Sequence, residues 1–180
     1  MTSLAASRST WPAYQGYFAQ TGIHQLVAAA HGATAGFWWL LCPASAGKRL
    51  YVMRVDYVCS HNTALVTPTG PRIRLERMSF TGAIGGAAVT PASALANVPA
   101  GVGTVRDTVP GGPSAGAAFH AFMPSTALTA VAATSMSNDD FSPEEPLELT
   151  EGTGIVCRQA DAATTSDTRR FATTVYWIEV

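Results

Sequence analysis

At 180 residues the chain is long enough to bury a hydrophobic core without disulfides or metals, and a single domain is the expectation. Charged residues supply only 13% of the sequence, against about a quarter in an ordinary soluble protein, and the net charge is -1. That balance excludes the basic footprint of a nucleic-acid-binding domain, and a surface so poor in charge suits a subunit covered by neighbours.

Residues 1 to 18 read as an N-terminal arm of turn formers with isolated aromatics. Such an arm is either disordered or laid on an adjacent subunit or a larger shell, and Trp11, Tyr14, Tyr17 and Phe18 are its candidate assembly contacts. The arm has no apolar core of the kind a secretory signal needs, so none is expected. Residues 19 to 180 read as one β domain. Ile23 to Ala30 and Phe37 to Cys42 are strand candidates separated by a Gly/Thr turn, and the apolar stretch from Leu26 to Cys42 is too short and interrupted to span a membrane.

Arg49 to Ser60 is the clearest strand, with Tyr51, Met53, Val55, Tyr57 and Cys59 assigned to one face by strict alternation. Arg72 to Phe80 follows, with Ile73 and Leu75 on one face and Arg72, Arg74, Glu76 and Met78 on the other. Residues 81 to 118 form a Gly/Ala/Pro-rich mixture, read as a long loop in which only Thr104 to Arg106 suggests a strand. Phe119 to Met123 and Leu128 to Ala133 are further strand candidates, and Asp139, Asp140, Glu144 and Glu145 mark an acidic loop.

The chain closes on the apolar run Ile155 to Cys157, a polar turn-rich segment, and a period-two strand over Thr168 to Ile178. These last two strands are expected to pair antiparallel. Trp177 and Ile178 need a partner surface, so the terminal strand should lie inside a sheet. Seven to nine short strands and no helix predict an all-β protein, an antiparallel β-sandwich of jelly-roll-like form. Tyr51, Met53, Val55, Ile73, Leu75, Val156, Val175 and Trp177 are its predicted core.

No motif carries catalysis. Gly112-Pro113-Ser114-Ala115-Gly116 matches GxSxG, but a nucleophile elbow needs a strand before the Ser and a helix after it, whereas prolines surround this one. His24, His31, His61 and His120 include no HxH, HxxxH or HExxH pair, so no metal, cofactor or cupin-like activity is expected. The acidic group from Asp139 to Glu151 lacks calcium-loop spacing and reads as solvated. Cys42, Cys59 and Cys157 contain no CxxC and read as free buried thiols formed in a reducing cytoplasm. Arg72, Arg74 and Arg77 are the densest basic cluster, too small for nucleic acid but able to meet an acidic loop on a neighbour.

Three stretches resemble proteins of the structural gene modules of tailed bacteriophages. They are Ile73 to Gly82, Phe119 to Phe122, and the closing pattern Glu151 to Gln159 with Asp167 to Phe171. The last looks like the end of capsid decoration, or cement, proteins. The resemblance implies a small jelly-roll subunit on the outer surface of a virion head, assembled in the host cytoplasm and bound to the major capsid protein, commonly as a homotrimer. It implies no enzyme activity, nucleic-acid partner or membrane. A tail or fibre component that binds host glycans is the alternative.

Overall fold

The structure, a computed structural model, describes residues 15–26, 35–60, 73–80, 84–93, 100–109, 115–122, 134–141, 147–159, 161 and 170–180. Thirteen strands run through them: β1 (Gln15–Gln20), β2 (His24–Gln25), β3 (Gly36–Cys42), β4 (Leu50–Ser60), β5 (Ile73–Ser79), β6 (Ala87–Val89), β7 (Ala92–Ser93), β8 (Thr104–Val109), β9 (Ala115–Phe122), β10 (Thr134–Asp140), β11 (Leu147–Leu149), β12 (Thr153–Gln159) and β13 (Arg170–Glu179). No helix occurs among the described residues.

Two antiparallel sheets carry these strands. Sheet A runs β10-β4-β13-β1-β7, with β11 continuing along β4 and β2 along β13; sheet B runs β6-β8-β3-β12-β5-β9. With the short strands and β8, which adds outside β3, set aside, β1 pairs β13, β3 pairs β12, β4 pairs β10 and β5 pairs β9. The first long strand therefore meets the last, the second the next to last, and so inward. Folding such a nested ribbon over into two sheets gives a jelly roll, the expected form of the sandwich.

The last two strands depart from the expected hairpin. β12 lies in sheet B between β3 and β5, whereas β13 lies in sheet A between β4 and β1. β12 is buried on both faces and β13 is rich in β-branched and aromatic residues, and each gains two neighbouring strands by separating. The terminal strand does lie inside a sheet, as its Trp177 and Ile178 require.

The core fills the space between the sheets. Tyr17, Val52, Val55, Tyr57, Phe171, Val175 and Trp177 from sheet A meet Trp38, Leu40, Ile73, Leu75, Ile155 and Cys157 from sheet B, all essentially out of solvent. Burying each large side chain contributes ~1.5–3 kcal/mol. A second apolar cluster, Trp39, Leu41, Met78, Ile84 and Val156, sits on the opposite face of sheet B, so β3 is buried along both faces. Val156, expected in the main core, belongs to this second cluster.

Tyr51 and Met53, also expected in the core, are only half-buried. The register of β13 on β4 jumps from Tyr176↔Arg54 to Trp177↔Val52, leaving Met53 as an extra residue. Such a bulge inverts the alternation of every residue on one side of it. Leu50 and Val52 therefore point inward with Val55, Tyr57 and Cys59.

The stretch from 81 to 118 is also more structured than a loop. It contributes β6, β7, β8 and the start of β9. β8 adds to the β3 edge of sheet B, and β7 to the β1 edge of sheet A, so this insertion covers one side of the sandwich. Among the residues of β8 whose burial is described, 104 to 108, only Val105 joins the main core. What fastens the insertion is polar and distant in sequence, and is described next.

Candidate assembly surface

Two polar clusters, each built on a buried titratable side chain, hold β8 near its two ends. At the start, the Glu179 carboxylate, 3% exposed, accepts hydrogen bonds from Val102 N–H (3.0 Å), Gly103 N–H (2.9 Å) and Trp177 Nε1–H (3.1 Å). Lys48 Nζ stands 3.8 Å away, on the rim. A Cβ on Gly103 would lie 2.8 Å from the Trp177 indole nitrogen, so only glycine lets the backbone come this close.

At the other end, Asp107 Oδ2 accepts the Gly22 N–H at 2.7 Å while Oδ1 lies 2.8 Å from His24 Nε2. The His24–Asp107 contact is an ion-pair approach outside the ideal hydrogen-bond direction. The His24 ring is wedged between Phe37 and Phe171, which meet each other edge-to-face at 4.8 Å. Burial lowers the His24 pKa below the ordinary histidine value of 6.5, against the opposing pull of Asp107. Both clusters work inside the subunit.

The outward face of sheet A is different. Phe18 and Tyr176 lie side by side on it, ring centroids 6.0 Å apart, with Ala172 and Thr174 half-buried beside them and Val58 40% exposed. Its charges partly offset one another: Arg54 Nε donates to Asp56 Oδ1, and Asp140 lies 3.7 Å from the same nitrogen. Burial and the neighbouring Asp56 raise the Tyr176 pKa above 10.0, keeping its phenol protonated. The surface offers aromatic and neutral area with few charges to desolvate.

The sequence candidates distribute unevenly. Trp11, Tyr14 and Arg72 lie outside the described residues. Residues 15 to 18, read as part of the arm, belong to β1 inside sheet A. Tyr17 turns inward and stacks on Trp177 at 6.0 Å, so it serves the subunit's own core, whereas Phe18 lies on the outer face. Arg74 and Arg77 are three apart on β5 and therefore on opposite faces. Arg77 donates to the Glu148 carbonyl within the same subunit at 3.2 Å. Among the described residues, Arg74 and Arg77 therefore do not form one cluster.

Sequence reasoning missed Glu179, Asp107 and Tyr176. Their partners come from strands far apart in the chain, and no local spacing signals them. Ala115 and Gly116 of the GxSxG match open β9, a strand where an elbow needs a helix. Among the described residues no group of three or more His, Cys, Asp or Glu could hold a metal ion.

These features define a jelly-roll β-sandwich whose outer sheet carries an aromatic pair beside an arginine–aspartate pair. No protein-family model, curated protein or solved structure matches the chain.

Proposed function

We propose that this protein is a virion structural protein, a decoration or cement subunit that binds the outer surface of a phage head through the major capsid protein. The observation that carries the reading is the outer face of sheet A, where Arg54 is paired with Asp56 and lies near Asp140 around Phe18, Tyr176 and Val58. Such a face loses little on desolvation and gains by burial, and many modest contacts repeated over a shell add up. Binding by burial is also insensitive to salt. Quantitative mass spectrometry of purified particles tests the reading. Copy numbers on the order of hundreds, released with emptied heads, support it. Recovery with tails in a handful of copies, or in neither fraction, overturns it.

A second reading rests on one feature. A cleft of about 560 Å³ at the end of the sandwich is lined by Lys48, Arg49, Tyr51, Thr150 and Glu151. An aromatic side beside charged hydrogen-bonding groups is a surface that a glycan of a host envelope would fit, as a tail or fibre component requires. Glycan-array binding that is lost in Tyr51→Ala favours this reading over the first.

A further inference from the structure

The register between β5 and β12 sets Arg158 directly opposite Arg74. Alternation puts both on the outer face of sheet B, because Ile73, Leu75, Ile155 and Cys157 point into the main core. Glu76, two residues beyond Arg74 on the same face, is 5% exposed, and its Oε2 lies 3.3 Å from Arg158 Nε. Like charges that stand opposite each other across a strand pair repel, and one carboxylate cannot offset two guanidinium groups. The three side chains leave one positive charge in excess. Nor are the arginine donors used up. Among the described residues Arg74 has no hydrogen-bond or ion-pair partner, and Arg158 has only the Glu76 approach, whose geometry leaves its buried Nε without a hydrogen bond. Donors withdrawn from water in this way cost stability until something accepts from them.

We propose that Arg74 and Arg158 form a receptor for a single carboxylate, the side chain of an aspartate or glutamate on a partner protein. Residues directly opposite on paired strands have Cβ atoms about 5 Å apart, close enough for one planar oxyanion to accept from both guanidinium groups. Charge selects among oxyanions. A carboxylate brings one negative charge and neutralises the excess, whereas a phosphate dianion would leave a surplus beside Glu76. Position selects the source. The pair stands on the face of a sheet with Arg74 half-buried, so a free acid would be held by the guanidinium groups alone, whereas a side chain carried on a partner's surface adds burial around them.

The site lies on the opposite sheet from Phe18 and Tyr176, and it stands without the proposed function. It also works by a different force. The aromatic face binds by burial, whereas a carboxylate held by two arginines is attracted through charge and weakens with salt.

The test uses the full chain and a capped peptide, acetyl-Gly-Glu-Gly-amide, with acetyl-Gly-Gln-Gly-amide, acetate and dianionic phosphate as comparators. The readout is the NMR shift of the arginine Nε–H signals. The Glu peptide should shift the Arg74 and Arg158 signals saturably, with a Kd on the order of 1 mM, and the Gln peptide should not. Acetate should bind at the same signals severalfold more weakly, and phosphate no better than acetate. Raising salt from about 0.1 to about 1 M shortens the screening length from about 10 to about 3 Å and should weaken the peptide severalfold. Arg74→Gln should weaken it tenfold or more while retaining its β-sheet circular dichroism. Glu76→Gln removes the competing carboxylate, so it should tighten the Glu peptide severalfold and phosphate by more, a gain that a purely structural ion pair would not give. Absence of a saturable shift up to about 20 mM peptide overturns the proposal. So does binding that Arg74→Gln leaves intact, phosphate held more tightly than the Glu peptide by the unmodified chain, or acetate held as tightly as the peptide.

Discussion

Replacing Glu179 by alanine should loosen one side of the sandwich. The carboxylate accepts from the Val102 and Gly103 backbone and from the Trp177 indole, all at 2.9–3.1 Å, at a residue only 3% exposed. Truncation leaves three donors without this acceptor, and each buried orphan costs ~1–3 kcal/mol. Partial hydration of Val102 and repacking of the indole reduce the sum, so about 3 kcal/mol is the expected loss. For a domain of this size that lowers Tm by roughly 6–12 °C. The Lys48 partner is 35% exposed and 3.8 Å distant, so Lys48→Ala alone should cost under about 1 kcal/mol. Thermal denaturation gives the first number, and hydrogen exchange at residues 100–109 locates it. A Tm shift below about 2 °C, or unchanged exchange across β8, would refute the claim that this carboxylate fastens the insertion.

Gly154→Ala should be at least as severe, because its Cβ would lie 2.5 Å from the Leu40 carbonyl oxygen and 2.8 Å from the Met78 methyl. A loss of about 3 kcal/mol is expected, read from a denaturant midpoint at constant m-value. On acidification, the lowered His24 pKa means that the unfolded chain binds this proton more readily than the folded one. Its contribution is therefore complete above pH 6.5 and lost as pH falls below it, and His24→Gln should flatten that part of the stability profile. On alkalinisation the sign reverses for Tyr17, whose pKa is raised above 10.0 by burial and by Glu179. The unfolded phenol ionises first, so stability falls as pH rises past 10.0, and Tyr17→Phe should reduce the slope.

Where alternation alone decides position, the sequence is a good guide. Ile73 and Leu75, and Phe171, Val175 and Trp177, all sit where period two puts them. The reading fails at Met53 because one bulged residue shifts parity, and a bulge leaves no mark on composition. It fails over β10 because Thr134 to Asp140, with its asparagine and two aspartates, has a loop's composition and is held as a strand by its partner β4. β8 was nearly invisible for the same reason: among its residues of described burial Val105 alone joins the main core, and its anchors are Glu179 and a His24 some eighty positions away. Phe18 was legible only as an aromatic in a polar stretch. The partner that makes it a patch, Tyr176, lies at the other end of the chain and is found only through the β1–β13 register.

The position of β13 bears on the order in which the protein can come together during synthesis. It is the last of the described strands to leave the ribosome, yet β1 and β4 meet only through it. Until residues 170–179 emerge, sheet A exists as separate pieces, and the inner faces of β1 and β4 have no strand between them. Sheet B is complete slightly earlier, once β12 has slotted between β3 and β5, and it then waits with one side of the core open. Closure is therefore a late event that joins segments distant in the chain, the slow kind of step in β folding. Nascent copies crowded on one messenger would expose the same unpaired edges at the same moment, the setting in which strands are exchanged between chains.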